Sequence, residues 1–141
     1  MKWTEARLQR LFRYYNTRYW QGKLPEYRVL VKRFRGKKYG DCNKRLRVIR
    51  IDVRQSDSGV RETMLHECCH AAHPWIGKDH HGGPFFREVY KLPEWFIART
   101  WRTAVQTTER KFFMEHWREY GGSRVEVLRK LAVLRRRRVR K

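Results

Sequence analysis

The segment from Met64 to Phe86 constrains the fold more than any other, because it contains five of the six histidines. Within it, the letters HECCH at positions 66–70 have the spacing H-E-x-x-H. On an α-helix, residues four apart share one face, so the imidazoles of His66 and His70 can reach the same metal ion. The intervening Glu67 would lie beside that ion. The spacing therefore predicts a helix that carries a zinc site.

The other side of this predicted helix is apolar. At about 100° per residue, five small or apolar side chains point away from the histidines. They are Met64, Leu65, Cys68, Ala71 and Ala72. We therefore expect a helix with an apolar back and a polar working face, in which Cys68 and Cys69 are structural.

A catalytic zinc needs a third protein ligand and an open fourth position. His73 is excluded, because seven helical residues separate it from His66 by roughly 10 Å. The metzincin spacing also fails, since position 76 is Ile and not His. His80 and His81 both remain as candidates, and their positions in the sequence do not separate them.

The net charge is the second strong feature, with 35 Lys and Arg against 14 Asp and Glu, or +21 at pH 7. Residues 1–50 hold sixteen basic and three acidic residues, and residues 99–141 hold fourteen and four. The segment between them, which contains the histidines, holds five basic and seven acidic residues. Basic flanks of this kind favour a polyanion, most simply DNA or RNA, because neutralised phosphates release their counterions.

Two runs of basic residues are the candidate nucleic-acid contacts, for single-stranded or double-stranded DNA. They comprise Lys32, Arg33, Arg35, Lys37 and Lys38 in the N-terminal flank and Arg135, Arg136, Arg137 and Arg138 near the C-terminal end. Because both runs lie outside the histidine segment, we expect them to contribute affinity and placement, not chemistry.

The distribution of apolar residues predicts an α+β fold. Apolar residues at helical spacing behind Thr4, a suitable N-cap, predict a first helix that ends near Tyr19. Residues 27–34 and 45–53 read as strands, the second with a bulge or with both faces buried, and residues 35–44 as a turn region. The next helix is expected over about 60–72. Further helices follow Pro93, the first of them with Trp95, Phe96, Trp101 and Val105 along one face.

The length and composition favour one domain over residues 1–134 with a basic tail at 135–141. No run of about 18 apolar residues is present, so no membrane span is expected. The first residues lack the apolar stretch of a secretory signal, and the three cysteines have no C-x-x-C spacing for a zinc ribbon. We expect a cytoplasmic monomer with no membrane partner, associated with the nucleoid, or nuclear in a eukaryote.

Four stretches of the sequence together resemble the SprT-like family of zinc metallopeptidases over roughly residues 8–90. They are LFRYYNTRYWQGKLP, YGDC, ETMLHECCHAAH and HGGPFF. The resemblance implies a compact zincin-like metallopeptidase domain with an N-terminal helix, a small β-sheet, an H-E-x-x-H active-site helix and C-terminal helices. It also implies one Zn²⁺ per chain, with His66, His70 and His81 as ligands and Glu67 as general base, and core packing for Cys42.

Two function classes follow. The first is a nucleic-acid-associated zinc endopeptidase, and the resemblance implies hydrolysis of peptide bonds in proteins bound or crosslinked to DNA. The alternative is a basic DNA- or RNA-binding module with a structural zinc and little or no proteolysis. The ligand set discriminates between them, because three histidines leave an open position on the metal and a fourth protein ligand closes it.

Overall fold

The computed structural model describes residues 2–72, 85 and 88–103. These residues form an α+β fold, as predicted, with one three-stranded sheet and three helices. The elements are α1 (Glu5–Trp20), β1 (Arg28–Val31), β2 (Gly40–Asn43), β3 (Val48–Ile51), α2 (Asp57–Ala72) and α3 (Glu94–Thr103). The chain divides into two compact units, Met1–Pro74 and Trp75–Lys141. The single domain over residues 1–134 stays a prediction, and the basic tail and the helices expected beyond residue 103 lie outside the described residues.

Helix α1 begins and ends where local chemistry requires. The Thr4 hydroxyl accepts a hydrogen bond from the Arg7 backbone N–H at 3.1 Å, which caps the first turn as predicted. At the other end, Gln21 adopts a left-handed conformation with φ of 52° and closes the helix with a backbone bond to Asn16. The helix buries Leu8 and Phe12 in the core of the first unit.

Strand β3 is the centre of the sheet, in the order β1-β3-β2. It pairs in parallel with β1, from Arg28 opposite Val48 onward, and antiparallel with β2, with Gly40 opposite Ile51. Ile49 and Ile51 are fully buried, whereas the alternate residues Val48 and Arg50 are partly exposed. The regular alternation excludes burial of both faces, and the continuous register with both neighbours excludes a bulge within β3, so neither expected alternative is present.

Three other sequence-based expectations need correction. Both predicted strands are shorter than expected, because only residues 28–31 and 48–51 join the ladders. Residues 40–43, expected as part of a turn region, form β2. Helix α2 begins at Asp57 and not near Val60, because the Ser56 hydroxyl accepts a hydrogen bond from Gly59 N–H and caps the earlier turn.

The outer edge of β1 is covered by side chains of α1. Val29 N–H donates to Gln9 Oε1 at 2.9 Å, and Gln9 Nε2 donates to the Tyr27 carbonyl at 2.8 Å. One helical turn earlier, Glu5 Oε2 accepts from Val31 N–H at 2.8 Å. The backbone groups of an edge strand otherwise remain available for unwanted pairing, so these two side chains close that edge.

In the second unit, Phe96 and Ile97 of α3 are buried, and their backbone N–H groups donate to the Pro93 carbonyl at 3.0 and 3.2 Å. Trp95 is 42% exposed, so the predicted apolar face is wrong at that position. None of the helices among the described residues has the length and hydropathy that a membrane span requires.

We predict that Gln9→Ala lowers the free energy of unfolding by about 1–3 kcal/mol, because it leaves the backbone groups of Tyr27 and Val29 without partners. Arg10→Ala, at the exposed neighbouring position, should change that free energy by less than about 0.5 kcal/mol. Denaturant unfolding of both variants checks the prediction. Equal effects would mean that Gln9 does not hold the edge of the sheet.

Candidate metal centre

Helix α2 brings the H-E-x-x-H residues into the first unit on a rigid, mostly buried element. Met64, Leu65 and Cys68 of the predicted apolar back are fully buried, whereas Ala71 and Ala72 are partly exposed. The polar working face is only partly as expected, because Glu67 is also buried, with 4% of its surface exposed. His66 and His70 are partly exposed.

The two histidines converge on one point. Their Nε2 atoms lie 3.2 Å apart, and the ring centroids are 4.9 Å apart at an interplanar angle of 70°. One ring can donate a hydrogen bond to the other at this distance. Two nitrogens that bind one tetrahedral zinc ion at about 2.1 Å lie about 3.4 Å apart, so the pair is also spaced for coordination.

The carboxylate of Glu67 belongs to the same group. One ligand atom from each of His66, Glu67 and His70 lies within 4.8 Å of the others. Imidazole nitrogen and carboxylate oxygen are donors that zinc and related divalent metals accept. The three side chains therefore fit a metal ion, although the arrangement alone does not select zinc.

Strand β2 packs against the carboxylate of Glu67 at a glycine. A Cβ atom added to Gly40 would lie 3.1 Å from Glu67 Oε2 and 2.6 Å from Thr63 Cγ2. The second distance is shorter than any that real side chains tolerate, so only glycine lets the strand approach this closely. Gly40 and Thr63 were not identified from the sequence as site residues, and the only signal was the YGDC stretch.

Burial is the main influence on Glu67, and it raises the pKa of this carboxyl to about 8. The negative charge of Asp41 adds to the increase, and the positive charge of Lys38 opposes it. A cation bound between the histidines would favour the carboxylate form and lower this pKa. The buried carboxyl is thus sensitive to the charge placed beside it.

The cysteines near the histidines are buried or partly buried thiols. Cys68 and Cys69 are fully buried, as expected for structural residues. Burial raises the pKa of Cys68 well above its ordinary value and that of Cys42, on β2, to about 12. Because the thiolate is the reactive form, neither thiol is activated as a nucleophile.

The remaining predicted site residues fall into two groups. His81 and its competitor His80 lie outside the described residues, as do Arg135, Arg136, Arg137 and Arg138. The other group is placed in the loop between β1 and β2, where all five side chains are exposed: Lys32, Arg33, Arg35, Lys37 and Lys38.

A model of the SprT-like family matches residues 8–109. The chain belongs to the SprT-like family. The matched SprT-like region contains the whole of α2 and also the HGGPFF stretch, so both parts of the most specific motif lie within it. No match to the chain is found among curated proteins or among solved structures.

We predict that Gly40→Ala lowers the free energy of unfolding by about 1–3 kcal/mol, since the new methyl group overpacks the contact with Thr63. Thr63→Ser removes Cγ2 but keeps the hydroxyl that is 3.1 Å from Gln55 Nε2. The double variant should recover most of the loss, with Thr63→Ser alone as the control.

Denaturant unfolding of the four proteins gives the coupling free energy between the two positions. A Gly40→Ala variant as stable as the parent chain, or a loss that Thr63→Ser does not relieve, would contradict the close approach of β2 to α2.

Proposed function

We propose that this chain is a zinc-dependent endopeptidase that cleaves proteins bound or crosslinked to DNA. One observation carries the proposal: His66 and His70 direct Nε2 atoms 3.2 Å apart toward a common point, with the carboxylate of Glu67 in the same group. Membership of the SprT-like family, which is linked to metallopeptidase-like domains, supports it.

In the proposed reaction, His66 and His70 would hold the zinc, since their Nε2 atoms lie 3.2 Å apart. Zinc, when bound, supplies Lewis acidity that polarises a peptide carbonyl and favours the ionisation of water. Glu67 accepts the proton of the attacking water on a carboxylate oxygen and then delivers it to the leaving amine nitrogen. Burial against Gly40 restricts this carboxylate to few orientations, which favours proton transfer over a short, fixed path.

His81 is the proposed third ligand. The proposal rests on the likeness of HGGPFF to the H-G-x-x-F element of the family. Three histidine ligands would leave one position of a tetrahedral zinc open for the substrate, as catalytic sites require.

The proposed substrates are associated with nucleic acid because the chain carries a net charge of +21. In the first unit, Lys32, Arg33, Arg35 and Lys37 have no ion-pair partner among the described residues and are exposed. Unpaired cations on the surface attract phosphates and release counterions, so they favour a nucleic acid over a neutral partner.

The test is to incubate the zinc-loaded chain with a basic DNA-binding protein, alone and with single-stranded or duplex DNA, and to identify fragments by mass spectrometry. Zinc-dependent cleavage that DNA increases is the expected result. A chain that binds zinc and DNA but yields no fragments would instead match the alternative, a binding module with a structural zinc.

We predict that Glu67→Gln retains zinc but lowers the rate of peptide hydrolysis by about 10²- to 10⁴-fold, because the amide cannot accept the proton of water. Zinc content by atomic absorption and cleavage rate are measured on the same preparation. His66→Ala serves as the matched control, since it should lose both metal and activity. If Glu67→Gln loses its zinc, the carboxylate is a ligand and the proposed roles are wrong.

We predict that His81→Ala weakens zinc binding by more than roughly 100-fold. Loss of a residue that only hydrogen-bonds to a metal ligand already costs about 10- to 100-fold, and loss of the ligand itself should cost more. His80→Ala, at the adjacent position, should bind zinc nearly as tightly as the parent chain. Competition with a chromogenic chelator gives both affinities. The reverse order would assign the third ligand to His80.

A further inference from the structure

A cleft of about 540 Å³ lies where the loop after β1 meets the segment after β3. Gly36, Lys38 and Tyr39 line it from one side, and Asp52, Arg54 and Ser56 from the other. Small-molecule sites commonly occupy roughly 300–1,000 Å³, so the cleft has room for one nucleotide.

The guanidinium of Arg54 is held rigidly at this cleft by buried Asp52. Arg54 Nε donates to Asp52 Oδ1 at 3.0 Å, and Nη2 donates to Asp52 Oδ2 at 2.6 Å and to the Phe34 carbonyl at 2.8 Å. These bonds hold the pKa of Asp52 well below its usual range. Within the described part of the chain, Nη1 has no protein partner, so its donors remain available to a ligand.

The loop on the other side is fixed as well. Phe34 N–H donates to Asp52 Oδ2 at 3.2 Å. The Phe34 ring lies 5.2 Å from Lys38 Nζ and 5.5 Å from Arg50 Cζ, close enough for cation–π attraction to both. Lys38 is therefore carried by a loop whose backbone is tied to Asp52, directly after β3.

Positive charge is in excess around the cleft. Residues 32–41 and 50–56 contain seven Lys or Arg and two acidic residues, Asp41 and Asp52. Both acids are engaged, since Asp41 pairs with Arg50 and lies 3.5 Å from Lys38, and Asp52 pairs with Arg54. The surplus is not neutralised by other described residues, which makes an anion the complementary ligand.

The ring of Tyr39 adds an aromatic surface to this basic cleft. Tyr39 is 53% exposed, although its carbonyl accepts a hydrogen bond from the Asp52 N–H at 2.8 Å. Exposed aromatic rings beside cations are the surfaces on which unpaired bases stack. A base within a duplex does not offer its face to such a ring.

From these observations we propose that the cleft binds one nucleotide of a single-stranded nucleic acid, with the phosphate on Lys38 and Arg54 and the base stacked on Tyr39. The inference deepens the proposed function, on which its role in substrate placement rests. Tyr39 precedes Gly40, where an added Cβ atom would lie 3.1 Å from Glu67 Oε2. A nucleic acid bound in the cleft would therefore contact the residue directly before β2, the β-strand that packs beside Glu67.

The experiment measures binding of labelled (dT)12, (rU)12 and a 12-base-pair duplex DNA to the full zinc-loaded chain by fluorescence anisotropy. Tyr39→Ala should weaken binding of the single strands roughly five- to hundredfold, the range expected for loss of one stacked base, and change duplex binding by less than about twofold. Tyr39→Phe should restore single-strand binding. Comparison of (dT)12 with (rU)12 shows whether the strand is DNA or RNA.

Tyr14→Ala is the matched control, because Tyr14 is 59% exposed on α1, away from the cleft, and should leave all affinities unchanged.

Lys38→Ala should reduce the dependence of log Kd on log salt by about 0.7, the value for one phosphate on a single strand. Equal effects of Tyr39→Ala and Tyr14→Ala, or equal losses for single strands and duplex, would overturn the proposal. The assay measures nucleic-acid binding and not cleavage. A result that contradicts the proposed nucleotide site therefore leaves the proposed peptidase activity untested, and the reverse also holds.

Discussion

Burial of Glu67 beside Gly40 is the feature on which the arrangement of the candidate metal centre depends. A carboxylate removed from water is unfavourable unless its surroundings repay the loss of hydration. Here the glycine allows β2 and α2 to pack closely, and the carboxylate lies in the same group as the two imidazole nitrogens. A side chain at position 40 would force either the strand or the helix to move, and the histidines move with the helix.

The helices near the site could be predicted from the sequence, whereas one strand could not. Helix α1 combines an N-cap at Thr4 with apolar residues at helical spacing, so local and tertiary preferences agree. Strand β2 consists of Gly, Asp, Cys and Asn, which are mostly poor strand formers and show no alternation. It forms because β3 provides the backbone partners, with Cys42 opposite Ile49, and because α2 covers one of its faces.

Prediction of the site from the sequence succeeded where the chemistry is contained in one helix and failed where two segments contribute. His66 and His70 are brought together by helical periodicity alone, so the spacing was sufficient. Gly40 and Glu67 are far apart in the sequence, and no spacing rule connects them. The cleft has the same origin, because Tyr39 and Arg54 meet only through the order of the strands in the sheet.

The acidic residues of the first unit show why its positive charge is better explained by a partner than by the fold. Asp52 accepts hydrogen bonds from Phe34 and Arg54, and Asp41 pairs with Arg50 across the two strands. Each carboxylate thus fixes the backbone or a guanidinium near the cleft, and neither reduces the charge of Lys32, Arg33, Arg35 or Lys37. Exposed like charges repel one another and destabilise the compact state, and a bound polyanion removes that repulsion. The cations at this end of the sheet therefore oppose folding in the free protein and favour binding of an anion, which is the balance expected if the proposed nucleic-acid contact is correct.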